Sequence, residues 1–276
     1  MTLIELLIVL VISGILVAGV YRTFISQQHT FTVQEQVVDM QQNVRLAINR
    51  MTRELRMAGY GRMDAIFFGI GKVNGYDKVV TPNGTGSVTV IGGYQALTTL
   101  SAFAPQGQNF ILVNNASGLD LLKRQYICIN GIDSHQIKSI TGNKIEFKGS
   151  GGADKLTDDH QAGEPVFLII AITYSHGIVG DPFRGVTGDP LLRDDNLGAG
   201  PQPVAENIDA LQFRYVMNTG ETLDVVPAVR FDDIRMIQVN IVARTERTDP
   251  QLAKVSDGFR RRNITSNIQL RNLSFL

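Results

Sequence analysis

The sequence predicts an α+β fold, one long N-terminal α-helix packed on a mostly antiparallel β-sheet head. Three observations carry that expectation. Residues 3–20, LIELLIVLVISGILVAGV, are an apolar run with one charge (Glu5) and one serine. Between Tyr21 and Ala58 there is no Pro or Gly, and apolar residues recur every three or four positions. After Gly59 the composition changes, with 16 of the 27 glycines between Gly59 and Gly152, interleaved with short β-type runs.

The averages conceal this division. The 276 residues carry 26 Lys+Arg against 26 Asp+Glu, a balance unlike that of a nucleic-acid scaffold. A single cysteine, Cys128, excludes an internal disulfide and any multi-cysteine zinc or iron–sulfur site. The absence of Trp and an aromatic content of 7% argue against a stacking platform for bases or sugars. Removing residues 1–20 takes away only Glu5, so the remainder is nearly balanced at +1.

The elements follow in order. About 20 mainly apolar residues span a bilayer as a helix, so residues 1–20 read as a transmembrane segment. A buried core helix would show a polar face, and this run has none. A secretory signal peptide would begin with a basic region, and nothing basic precedes Leu3. Val37, Met40, Val44, Ile48, Met51, Leu55 and Ala58 then make one apolar stripe, with Glu35, Asp39, Arg45, Arg50, Arg53 and Arg56 in the solvated positions. Gly59 follows as a left-handed C-cap behind two cations that suit the helix dipole. A helix from Thr2 to Ala58 would measure roughly 85 Å, so its first half must project while residues 21–58 pack as an amphipathic segment. Residues 59–276 form the head. Strands are expected at 87–91, 110–113, 125–132, 165–175, 209–217, 233–245 and 264–272. A hairpin with a three-residue turn is expected over 136–148, and residues 176–207 read as loop.

The chemistry-bearing residues are sparse, and no catalytic residue or cofactor site is expected. None of the four histidines sits at ligand spacing from another, and DDH at 158–160 reads as a solvated loop. No nucleophile elbow, phosphate loop or dinucleotide fingerprint occurs. Asp181, Asp189, Asp194 and Asp195 are weak calcium candidates without EF-hand spacing, and a plain surface loop accounts for them as well. Arg260, Arg261 and Arg262 suit a solvated edge guarding a strand better than a DNA contact.

The N-terminal residues MTLIELLIVLVISGILVAGVYRTF resemble the mature start of type IV pilins and type II secretion pseudopilins. MQQNVRLAINRMTRELRMAGYG (40–61), ENIDALQFRY (206–215), IRMIQVNIVART (234–245) and RRRNITSNIQLRNL (260–273) resemble PilW-type minor pilins and the related J-type pseudopilin. The resemblance implies the type IV pilin fold. It also implies a leader removed by prepilin peptidase, N-methylation of Met1, and an assembly role for Glu5 with Thr2 and Leu3. Implied partners are other minor and major pilins and the inner-membrane assembly platform. The implied path runs from a single-pass bacterial inner-membrane protein to an extracellular pilus, at its tip, with the adhesion and twitching motility such fibres support. Arg22 stands where many pilins have Pro, and Cys128 alone cannot close their C-terminal disulfide loop; both departures point away from an abundant shaft subunit.

Glu5 has two compatible readings. Near the helix start a carboxylate is favoured by the dipole and can snorkel to the interface. In a filament it would pair with the amino group of Met1 in a neighbouring subunit, each group being poorly satisfied alone. Gly14 and Gly19 would permit close helix approach or are ordinary membrane-helix glycines. Pilus subunit is the primary expectation, a J-type pseudopilin the nearest alternative, and a membrane-anchored protein capturing DNA, a surface or a cation the third.

Overall fold

The computed structural model describes residues 2–61, 72–122, 125–149, 154–177 and 189–273. Helix α1 runs unbroken over Leu3–Arg56, 54 residues and so about 80 Å. Its stripe behaves as the periodicity predicts. Met40, Val44, Met51 and Leu55 are buried, Val37 and Ile48 are partly buried, and Ala47 joins them from the gap in the pattern. The helix ends at a Met57 cap, and Gly59 then takes the left-handed conformation (φ +78°). Asn272 Nδ2 donates to the Ala58 carbonyl at 3.1 Å, so the C-terminal segment closes this end.

Thirteen strands are described, and every pairing among them is antiparallel. They are β1 (Val80–Pro82), β2 (Ser87–Thr99), β3 (Phe110–Leu112), β4 (Tyr126–Ile129), β5 (Asp133–Thr141), β6 (Lys144–Lys148) and β7 (Pro165–His176). There follow β8 (Leu191–Asp194), β9 (Gln202–Ala205), β10 (Ile208–Met217), β11 (Thr222–Leu223), β12 (Ile234–Arg244) and β13 (Arg261–Gln269). The head therefore holds two sheets. Nine strands run β1-β2-β7-β4-β5-β6-β3, with β8 and β9 branching from β7, and four run β11-β10-β12-β13.

Two details correct the expected elements. The 136–148 hairpin turns on Gly142 and Asn143 alone, and residues 176–207 contain β8 and β9. The cause of the second lies in β7. The first part of that strand pairs with β4 at Val166–Leu168, while Thr173–His176 is left for β8. A strand buried over most of its length needs partners on both edges, because unpaired backbone groups inside a core are costly.

The buried half of α1 shares one core with both sheets, and a second cluster lies under β3–β6 around Ile111, Ile127, Ile145 and Phe147. Gly92 makes the approach of β2 to the helix end possible, because a Cβ there would collide with the Met57 carbonyl. The Gly59 amide donates to Ile91 O at 2.9 Å, and the Gly93 amide to Tyr60 O at 3.1 Å. Met51 is fully buried at the centre of the stripe. Met51→Ala should lower the unfolding free energy by about 2–5 kcal/mol, the range for truncating a core side chain. Denaturant unfolding of the detergent-solubilised chain measures it.

Candidate functional site

The start of α1 is built by four residues. Thr2 has extended backbone (φ −92°, ψ 151°) and acts as N-cap. Its hydroxyl accepts the Glu5 amide at 3.4 Å, and its own amide donates to Glu5 Oε2 at 2.9 Å. This reciprocal capping box follows from Thr-x-x-Glu spacing. Glu5 is thus not the under-satisfied carboxylate expected within one subunit, since Oε2 also accepts the Thr2 hydroxyl at 3.3 Å. The box was readable in the sequence and is missed when Glu5 is considered only as a charge. Met1 lies outside the described residues.

From Leu3 to Val20 the helix is an apolar sleeve on which, among the described residues, nothing packs. Its most apolar 18-residue window has mean hydropathy 2.8 and none of it is buried, so length and composition suffice to cross a membrane. The hydroxyls near and within the sleeve are satisfied internally: Ser13 donates to Leu10 O at 3.0 Å and Thr23 to Gly19 O at 3.1 Å. A Cβ at Gly14 or Gly19 would meet nothing within 4 Å, so packing inside the subunit does not require glycine there. Removing such a sleeve from lipid without replacing its surroundings would cost on the order of tens of kcal/mol.

Residues 1–21 match the prokaryotic N-terminal methylation motif. The match supports a type IV pilin-like or pseudopilin family. The long apolar helix and antiparallel sheets form an α+β architecture that matches the type IV pilin fold. The methylation motif implies a substrate of prepilin peptidase that assembles with other pilins, and with the apolar helix it is consistent with inner-membrane anchoring before assembly. No curated protein and no solved structure matches the chain.

Polar groups also tie α1 to the head. Glu54, on the border of the stripe, accepts the Tyr174 hydroxyl at 2.6 Å and Arg193 Nε at 2.9 Å. Arg50 approaches Glu54 at 3.5 Å from one turn earlier. Further out, His29 Nε2 lies 3.3 Å from Asp249 Oδ1, off-line for a hydrogen bond, and Arg260 holds the same carboxylate at 2.6 Å. Hydrogen bonding from Arg260 keeps the Asp249 carboxyl below the usual range.

The remaining candidates resolve differently. Asp181 lies outside the described residues. Asp194 Oδ1 accepts the Asn196 amide and Asp195 Oδ1 the Leu197 amide, each closing a local turn. Among the described residues, no three or more His, Cys, Asp or Glu side chains gather as a metal site. Arg261 opens β13, an edge strand, and is ion-paired with Asp209 and Asp257. Cys128 is buried, and burial pushes its thiol up to about 11.

DDH is solvated at Asp158 and Asp159 but not at His160. His160 is fully buried, its Nε2 2.9 Å from Asp133 Oδ2 and its Nδ1 2.7 Å from Glu164 Oε2. Asp133 also accepts the Thr157 amide at 2.9 Å and the Thr157 hydroxyl. Burial alone would lower the imidazole, but hydrogen bonds to Asp133 and Glu164 outweigh it and raise His160 above its ordinary value. Burial would likewise raise Asp133, and hydrogen bonds from His160, from Thr157 and from the Asp158 amide instead hold it at about 2. With a carboxylate on each nitrogen, both ring nitrogens are engaged, an arrangement that favours the doubly donating imidazolium.

Proposed function

We propose that the chain is a PilW-type minor pilin that is incorporated into a type IV pilus and primes or caps it through its N-terminal helix. The observation that carries this reading is the exposed apolar sleeve, which coincides with the methylation motif and begins at a capped Glu5. In the bilayer, lipid covers the sleeve. In a filament, neighbouring helices would cover the same surface, so extraction and polymerisation must be coupled to avoid exposing it to water. Met1 carries the N-methyl group in this reading. Glu5 remains available to it, because the capping box uses Oε2 and leaves Oε1 for a neighbouring subunit. The role needs no catalytic residue, cofactor or nucleic acid. Arg22 and the lone Cys128 favour a minor over a shaft subunit, and the head carries the contacts to sibling pilins and to whatever the tip meets.

The test compares two substitutions. Glu5→Gln keeps the capping geometry, for which Gln serves as well as Glu, and removes the charge; Glu5→Ala removes both. Both variants are expected to reduce surface pili strongly, scored by shearing and immunoblot. Normal pili from Glu5→Ala would end the proposed role for Glu5, and normal pili from Glu5→Gln alone would reduce that role to capping. Deleting the gene separates the machines, since loss of secreted enzymes with intact pili would mark a J-type pseudopilin instead.

A further inference from the structure

The four-stranded sheet has a second face, turned away from α1. Alternation assigns its residues. Phe213, Tyr215, Ile237, Val239 and Ile241 point into the core, so the neighbouring positions point outward. Register then sets those outward residues in rows: Gln212 beside Asn240 beside Thr265, and Arg214 beside Gln238 beside Asn267. Asn263 and Gln269 extend the β13 column at either end. Of the twelve outward positions in the four rows of β10, β12 and β13, six are amides.

Arg214, Arg244 and Arg261, at and around this lattice, are paired. Arg214 Nε lies 2.6 Å from Asp224, Arg244 Nε lies 3.4 Å from Asp209, and Arg261 pairs with Asp209 and Asp257. Within the lattice, Gln238 Nε2 donates to Asn267 Oδ1 at 3.0 Å and Thr265 donates to Asn240 Oδ1 at 3.4 Å. Each amide has more hydrogen-bonding groups than these contacts use, since it offers two donor hydrogens and a two-lone-pair acceptor. The strands are about 4.8 Å apart, so donors and acceptors repeat regularly over an area whose one charged side chain, Arg214, is paired with Asp224.

That chemistry selects its partner. A phosphate backbone needs unpaired cations, a membrane needs basic and apolar side chains together, and a protein interface is organised around aromatic or apolar anchors. The centre of the lattice has none of these. Its groups match a neutral polymer carrying closely spaced hydroxyls, held edge-on by hydrogen bonds and without ring stacking. We propose that the outward face of β10, β12 and β13 is a docking surface for a neutral polysaccharide. The inference stands apart from the assembly role, because neither Glu5 nor the apolar sleeve contributes to it.

The test uses the full chain in a polyoxyethylene detergent, which carries no sugar, with microcrystalline cellulose, chitin beads and dextran as probes. Retention on at least one is expected, unchanged when salt is raised about tenfold, because no net charge is involved. Asn240→Asp combined with Gln238→Glu preserves side-chain shape and adds charge, and should weaken retention at least roughly tenfold. Its unfolding temperature is measured beside the wild type. If the charged pair unfolds the sheet, Asn240→Val with Asn267→Val replaces it, with the same expectation. The proposal is overturned if the wild type is retained on none of the three, if retention falls with salt, or if a folded variant is retained equally. Reduced entry of the variant into pili with undiminished retention would assign the face to a sibling subunit and overturn it too.

Discussion

Glu54→Ala is expected to lower the unfolding free energy of the full chain by about 3 kcal/mol, the lower end for breaking a largely buried ion pair by deleting one partner. Glu54 and Arg193 are each about 15% exposed as side chains, so some solvent screening reduces the effect, while Tyr174 is fully buried. Removing the carboxylate strands the Arg193 guanidinium and the Tyr174 hydroxyl together. It also leaves them beside Tyr94, whose buried hydroxyl makes no hydrogen bond. Burial first, and then the Glu54 charge, raise both phenols above their ordinary values, which keeps both neutral and leaves Tyr174 a donor to Glu54. Tyr174→Phe removes one neutral donor to a charged acceptor and should cost less, about 1.5–3 kcal/mol. Chemical denaturation of both variants in the same detergent measures the pair. Equal stability of Glu54→Ala and wild type would show that apolar packing alone holds the helix to the head.

The anchor has a mechanical meaning in the proposed assembly. A subunit drawn from lipid by its first half must transmit that force to a head some tens of ångströms away. The attachment runs from Met40 to Ala58 and is closed at its far end by Glu54, Asn272 and the Gly59–Ile91 hydrogen bond. Among the described residues, the projecting half meets the head only around His29 and Asp249, at the rim. A firm grip at one end and a free sleeve at the other let neighbouring helices pack on the sleeve without disturbing the head.

The helix was legible because its signals are local. The stripe, the missing Pro and Gly, and Gly59 behind Arg53 and Arg56 all lie within a few residues of the structure they specify. The long strands were legible through alternation, as in β12, where Ile237, Val239, Ile241 and Ala243 are buried in turn. β8 and β9 were not, because four residues among Asp, Gly and Pro carry too little periodicity, and their strand character comes from the open edge of β7. The polar clusters were hidden for a related reason. Glu54 meets Tyr174 and Arg193 across 120 and 139 positions, and Asp133 meets His160 across 27. Only the folded topology gives such pairs their partners.

The Asp133–His160–Glu164 cluster gives the second large expected effect, and its pH dependence has a definite sign. The raised His160 stabilises the fold fully below the ordinary histidine value of 6.5, and that stability is lost as pH rises through the higher folded value. The lowered Asp133 contributes above its ordinary 3.8, and its share is lost as pH falls toward about 2. The cluster is therefore most stabilising between about 4 and 6.5. His160→Leu leaves Asp133 and Glu164 without their shared cation and should cost about 3–5 kcal/mol at pH 6. It should cost less at pH 9, because above 6.5 keeping the folded ring protonated offsets part of what the cluster contributes. The other three histidines are common to both proteins, so the difference between the two stability–pH curves isolates His160. A gap of constant size from pH 5 to pH 9 would mean that the ring acts by packing alone. Asp133→Asn supplies the check from the other side. It removes the charge without changing shape, so His160 should titrate at a lower pH in NMR, by a shift that packing would not produce.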